Sequence, residues 1–128
     1  MKLPDDVRRL LDAPSTAHLA TLLPDGAPHS VPLWVGLEGD RVSFLTSRDS
    51  RKARNIDRDP RVAISLTNRD VPNDMAFLRG RVVEVRDDEA GWEIIDRLAQ
   101  KYIGAPYPLR TDRAAFLVEV DHAGAMSF

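Results

Sequence analysis

Between residues 17 and 85, apolar side chains recur at every second position in short runs, and the runs are cut off by turn formers, mostly proline, glycine and aspartate. A two-residue period belongs to strands with one buried face, because successive side chains of an extended chain point to opposite sides. The first run, 17–23, ends in Pro24-Asp25-Gly26, where proline fixes φ and glycine accepts a positive one. In the second, 28–37, Val31, Leu33 and Val35 share one face and Ser30, Pro32 and Trp34 the other. Glu38-Gly39-Asp40 then turns the chain into 41–46, where Val42 and Phe44 share a face. Tight turns between three consecutive strands predict an antiparallel meander. Val62, Ile64 and Leu66 mark a strand over 62–67, and a longer one follows over 75–85 with Gly80 as a bulge or bend. Phe116, Val118 and Val120 alternate in a last strand over 114–121.

Other segments break this rhythm. Residues 1–12 space Val7, Leu10 and Leu11 as a helix, with Pro14 just beyond its end. Residues 50–59 read as a short polar helix with only Ala53 and Ile56 to bury. It stops at Asp59-Pro60, since proline disfavours helix in the residue before it. Residues 68–74 form a loop around Pro72. The one long helix covers 87–103, with acids crowding its first turn and Ile94, Ile95, Leu98 and Tyr102 as its apolar stripe. Few helices and no βαβ rhythm predict a mainly β fold, a six-stranded antiparallel barrel, closed or nearly so, with helical additions. Its length of 128 residues suits one domain, 1–128.

Several chemistries fall away. No apolar run approaches the roughly 20 residues of a membrane helix, and residues 1–12 lack the apolar core of a secretory signal. The chain has no cysteine, hence no disulfide or thiolate chemistry, and the expected location is the cytoplasm. A net charge of -2 argues against bulk attraction to nucleic acid or an anionic membrane. There is no glycine-rich phosphate loop and no Gly-x-Ser-x-Gly elbow. His18, His29 and His122 are too scattered for a recognisable zinc motif. No side chain stands out as catalytic and no metal site is expected, so enzymatic chemistry here would come from a cofactor.

The charge is unevenly spread. From Arg48 to Arg61 there are six basic residues against three acidic ones. Ser50 stands where a helix N-cap falls, and Arg51 and Lys52 occupy the first turn, where cations oppose the helix dipole. A bound anion relieves that conflict, so hydroxyls, a helix N-terminus and two cations together describe a phosphate site. The same spacing also fits a solvated basic face whose arginines pair with Asp49, Asp57 or Asp59. Trp34 reads first as an ordinary buried tryptophan, and second as a cover for a ring ligand or a subunit interface. Met75, Phe77 and Met126-Ser127-Phe128 read first as packing residues.

His18-Leu19-Ala20-Thr21-Leu22, Pro24-Asp25-Gly26, Pro28-His29 and Val31-Pro32-Leu33-Trp34 follow one another. They lead into Phe44-Leu45-Thr46, Ser50-Arg51-Lys52-Ala53-Arg54-Asn55, Asp59-Pro60-Arg61-Val62-Ala63 and Leu78-Arg79-Gly80-Arg81-Val82. This order resembles the pyridoxamine 5'-phosphate oxidase-like proteins with the FMN-binding split barrel. Within them it is most similar to the small branch that uses the deazaflavin coenzyme F420. The similarity covers about 17–85, and the C-terminal helix and strand agree in type.

The resemblance implies an F420-dependent oxidoreductase, in which reduced deazaflavin passes hydride to a small electrophile such as an enone or a tetrapyrrole. It implies that Ser50, Arg51 and Lys52 hold the cofactor phosphate, with Asn55 nearby. Pro32, Leu33 and Trp34 would border the ring, and Thr46 and Ser47 its ribityl chain. It further implies a homodimer with the cofactor between subunits, where Met75, Phe77 and the C-terminal residues of the partner chain would face the cleft. An FMN-dependent oxidoreductase and a non-catalytic carrier or sensor of flavin, deazaflavin or haem are the alternative readings on the same fold, and a plain protein-interaction barrel is the last. The chain is much shorter than pyridoxamine 5'-phosphate oxidase and lacks its C-terminal extension, so oxidation of vitamin B6 is not expected.

Overall fold

A computed structural model describes all 128 residues. In chain order the elements are α1 (Asp5–Asp12), β1 (Thr16–Leu22), β2 (Pro28–Leu33), β3 (Gly36–Glu38), β4 (Arg41–Thr46), α2 (Arg51–Arg58), β5 (Arg61–Thr67), β6 (Asp74–Arg86), α3 (Glu89–Ile103) and β7 (Ala114–Ser127). The fold is mainly β, one antiparallel sheet with three helices in the split-barrel arrangement. No helix is long and apolar enough to cross a membrane.

Two expectations need correction. The sheet has seven strands, in the order β2-β1-β5-β6-β7-β4-β3, and it is open. The run read as a single strand over 28–37 is two, and the meander is broken between them. β2 pairs with β1, and β3 pairs with β4 at the opposite end of the sheet. Only Trp34 and Val35 separate these two end strands in the chain. The two edge strands are therefore neighbours in the chain, and no hydrogen-bond ladder joins them. Alternation hides this break, because Trp34 and Val35 both favour extended backbone and keep the period.

Side chains from elsewhere hold the joint. The Val35 amide donates to the Tyr102 hydroxyl at 3.3 Å, and that hydroxyl donates to the Ser15 carbonyl at 2.7 Å. Lys101 donates to the Val35 carbonyl and, at 2.8 Å, to the Leu11 carbonyl. Val35 and Leu11 are fully buried, so without these donors their polar backbone would be costly. Burial lowers the Lys101 pKa to about 8, against a smaller opposing pull from Asp12. It also raises that of Tyr102.

The main core lies on one face of the sheet. Val7, Leu10 and Leu11 of α1 join Leu19, Phe44, Ile64, Leu78, Phe116 and Val118 there. Phe44 and Phe116 face each other across β4 and β7, with rings stacked at 5.1 Å. α3 covers the other face of β7, where Ile94, Ile95 and Leu98 pack on Ala115 and Leu117. β7 is thus buried on both sides at its start, and α3 is fixed relative to the barrel. Its ends are conventional: Asp88 accepts from the Gly91 amide at 3.0 Å, and Gly104 adopts φ +68° beyond the last turn.

β7 runs to Ser127, beyond the expected end at 121, because its ladder with β6 continues through Asp74↔Ser127. Register shifts between Arg79 and Gly80 and between Val82 and Glu84 bend this long pair. At Gly80 a Cβ would lie 2.1 Å from the Glu119 carbonyl oxygen, so glycine alone allows the approach.

Candidate functional site

A cleft of about 450 Å³ opens where β2 ends and α2 begins. Pro32, Leu33, Trp34 and Leu45 give it an apolar wall. Thr46, Ser47, Ser50 and Lys52 give it a polar end, and Tyr107 and Arg113 reach it from the α3–β7 loop. Leu45 is placed by simple alternation: Phe44 enters the core, so its neighbour faces outward.

Ser50 caps α2, accepting from the Ala53 amide at 3.1 Å and from the Thr46 hydroxyl at 3.0 Å. Lys52 enters no ion pair, nor does Arg113, which donates to the carbonyls of Thr111 and Asp112 at 3.4 and 3.0 Å. Burial lowers the Lys52 pKa, and the positive charge of Arg113 lowers it further. No aspartate or glutamate lines the cleft. Two like charges facing a cavity without a carboxylate leave a site that favours an anion.

The alternative of a solvated, internally paired basic face holds for little of this segment. Arg61 pairs with Asp59 at 2.7 Å, but Arg48 reaches Asp87 at 3.1 Å, outside the segment. Arg58 donates to the Leu22 carbonyl. Arg51, Lys52 and Arg54 remain without a carboxylate.

Trp34 is partly buried. Its ring stacks on Tyr102 at 5.4 Å with 7° between planes and meets Tyr107 edge-on at 6.0 Å. It packs against the cluster under α3 and still lines the cleft.

Pro32, Leu33, Trp34, Thr46, Ser47, Ser50 and Lys52 therefore come together, and Arg51 and Asn55 do not join them at the cleft surface. Asn55 is fully buried and donates from Nδ2 to Thr21 at 3.0 Å, tying α2 to β1 and leaving its Oδ1 without a partner. Arg51 keeps a buried Nε that likewise has none. Ser47 accepts from the Asp49 amide at 3.2 Å and donates to Asp112 at 2.8 Å, so it also anchors the α3–β7 loop.

Met75, Phe77 and Met126 gather elsewhere, around an apolar cavity of about 240 Å³ with His18. No group of three or more histidines or carboxylates converges to hold a metal ion. Sequence reasoning missed Leu45, Tyr107 and Arg113. Alternation from Phe44 was signal enough for the first, whereas the other two sit in a loop with no period to read.

An open antiparallel split barrel of this kind, with a cleft outside its core, is a general flavin-type oxidoreductase fold. The chain belongs to the pyridoxamine 5'-phosphate oxidase family, whose sequence profile matches residues 3–127. Among solved structures it is similar to an F420 reductase at 29% identity, over 95% of this chain and 98% of that one, with a TM-score of 0.82. A conserved hypothetical protein from Mycobacterium tuberculosis is 21% identical, over 99% of this chain and 86% of its own, with a TM-score of 0.75. General stress protein 26 from Bacillus anthracis is 18% identical, over 95% of this chain and 92% of its own, also with a TM-score of 0.75. These last two establish likeness of fold alone. No curated protein sequence matches the chain.

Proposed function

We propose that the chain is an F420-dependent reductase that holds the deazaflavin cofactor in the Trp34–Lys52 cleft and acts on a small electrophilic organic substrate. The observation that carries this reading is the pair Lys52 and Arg113, unmatched by any acid and set beside the Ser50 hydroxyl. Such a set fits a phosphate group, and the apolar wall beside it fits a flat ring. The likeness to an F420 reductase at 29% identity supports the deazaflavin over other flavins.

When bound, the reduced deazaflavin supplies a hydride. The protein's own part is binding and order. Lys52 and Arg113 neutralise the phosphate, and Ser50 donates a hydrogen bond to it. Thr46 fixes the Ser50 hydroxyl through their mutual bond. Trp34, braced by Tyr102 and Tyr107, presents a rigid face that orients the ring and excludes water. The reading includes a homodimer with the ring between subunits. The exposed apolar side chains Phe77 and Met126, 46% and 56% accessible, supply a surface for it.

Fluorescence titration of the purified protein with F420, and separately with FMN, tests this. Micromolar or tighter F420 binding with weak FMN binding supports the proposal. Preference for FMN moves the chain to the flavin-dependent alternative, because the two-cation end serves an FMN phosphate equally well. Binding of neither leaves the cleft without this role.

A further inference from the structure

Pro32, Leu33 and Trp34 have a second ligand-sized space beside them. They also border a separate cavity of about 320 Å³, together with Ala17, Tyr102 and Arg69. No aspartate or glutamate lines this one either. Its single cation, Arg69, belongs to the loop between β5 and β6 and forms no ion pair. Its Nε donates to the Pro14 carbonyl at 3.3 Å. The loop is firmly held: Asn68 Oδ1 accepts from the amides of Asp70 and Val71 at 2.9 and 3.2 Å, and its Nδ2 donates to Asp74 at 3.0 Å. Arg69 thus projects from a fixed base, with its two terminal nitrogens left over.

The two cavities differ in charge and abut along the same three residues. One ends in two cations and a hydroxyl donor, the set for a phosphate. The other is smaller, with more apolar than polar surface, and is lined by the stacked pair Trp34 and Tyr102 and by one guanidinium fork. A fork of that kind matches the two oxygens of a carboxylate. We propose that the Arg69 cavity is the substrate subsite, and that it takes a flat, apolar molecule carrying one carboxylate, recognised by Arg69. This rests on the reading that the cofactor ring lies against Pro32, Leu33 and Trp34, which brings a ligand in the second cavity alongside it.

The test uses trans-cinnamate and cinnamamide, alike in shape and different in charge. They are titrated against Trp34 emission in a Trp92→Phe background, where Trp34 is the sole tryptophan. Cinnamate binds about tenfold or more tighter than the amide, as expected for a charge-assisted pair. Arg69→Ala removes that preference and Arg69→Lys keeps part of it. F420 and FMN affinities, titrated in parallel, do not change in either variant. No preference in the parent, or an undiminished one in Arg69→Ala, overturns the proposal. So does a loss of cofactor affinity in Arg69→Ala, which assigns Arg69 to the cofactor. Cinnamate binding that depends on Arg69 in a protein binding neither F420 nor FMN upholds Arg69 as a carboxylate site and overturns its assignment as a substrate subsite beside a cofactor.

Discussion

The Val35 amide and the Tyr102 hydroxyl meet at 3.3 Å, and through this bond the last turn of α3 holds the joint between the two end strands of the sheet. The same Tyr102 ring stacks on Trp34. One side chain therefore secures both the link between the two edge strands and the wall of the cleft.

Tyr102→Phe isolates the first of these roles. It keeps the stacked ring and deletes the oxygen between the Val35 amide and the Ser15 carbonyl. A loss of about 1–3 kcal/mol in urea unfolding is expected, as for buried polar backbone left unpaired. Trp34 emission should stay close to the parent's. A large red shift in that emission would mean that the hydroxyl also positions the wall.

Lys101 predicts a pH dependence with a definite sign. Its folded pKa is about 8, while an exposed lysine titrates at about 10.4. Between those values the unfolded chain binds more protons, so stability rises with pH. Below pH 8 both states carry the charge and the difference is flat. Thermal unfolding of the parent compared with Lys101→Met should separate along that curve from about pH 8 to pH 10. A pH-independent difference would show that the ammonium is not desolvated.

Arg113→Ala changes the cleft in two ways. It removes one of two cations from an anion site, which should weaken F420 or FMN binding by about tenfold or more. It also removes a charge that lowers the Lys52 pKa, so that pKa rises. Anion binding fails as Lys52 loses its proton, and in the variant this failure should move to higher pH. Cofactor titrations across the alkaline range read both effects. An unshifted pH limb would mean that Lys52 and Arg113 do not share the ligand.

Two glycines on the β6–β7 ladder should respond to different degrees. At Gly80 a Cβ would meet the Glu119 carbonyl at 2.1 Å, and backbone cannot move aside cheaply. Gly80→Ala is expected to cost about 3 kcal/mol or more in chemical denaturation. At Gly124 the obstacle at 2.8 Å is the far end of the Phe77 ring, a side chain that can turn about its own bonds where backbone cannot. Gly124→Ala should cost less than about 1 kcal/mol. Equal effects would mean that the strand pair adjusts as a whole.

What the sequence revealed and what it concealed have separate physical origins. Ser50 as the cap of α2, Gly80 at a bulge and the long stripe of α3 depend on local chemistry, so they can be read from neighbouring residues. The partition of 28–37 into two strands depends on which distant strands they pair with, and neither Trp34 nor Val35 carries a local mark of it. Residues 122–127 show no bulky alternation and are extended because β6 continues beside them. Arg113 and Tyr107 reach the cleft because Asp96 ties their loop to α3: it accepts from the Tyr107 amide at 3.1 Å and from Arg110 at 2.6 Å. No spacing rule anticipates such long-range ties.

The joint at Trp34 and Val35 makes this fold a ring in sequence and a ribbon in bonding. No inter-strand ladder depends on the peptide bond between those two residues. Fragments 1–34 and 35–128 would carry complementary edges, β1 against β5, through which separate polypeptides could find each other. Chain continuity thus adds no ladder to the sheet at the place where a ligand would lie. Trp34 belongs to no strand pairing, so its side chain answers to α3 and the cleft and not to the ladders of the sheet.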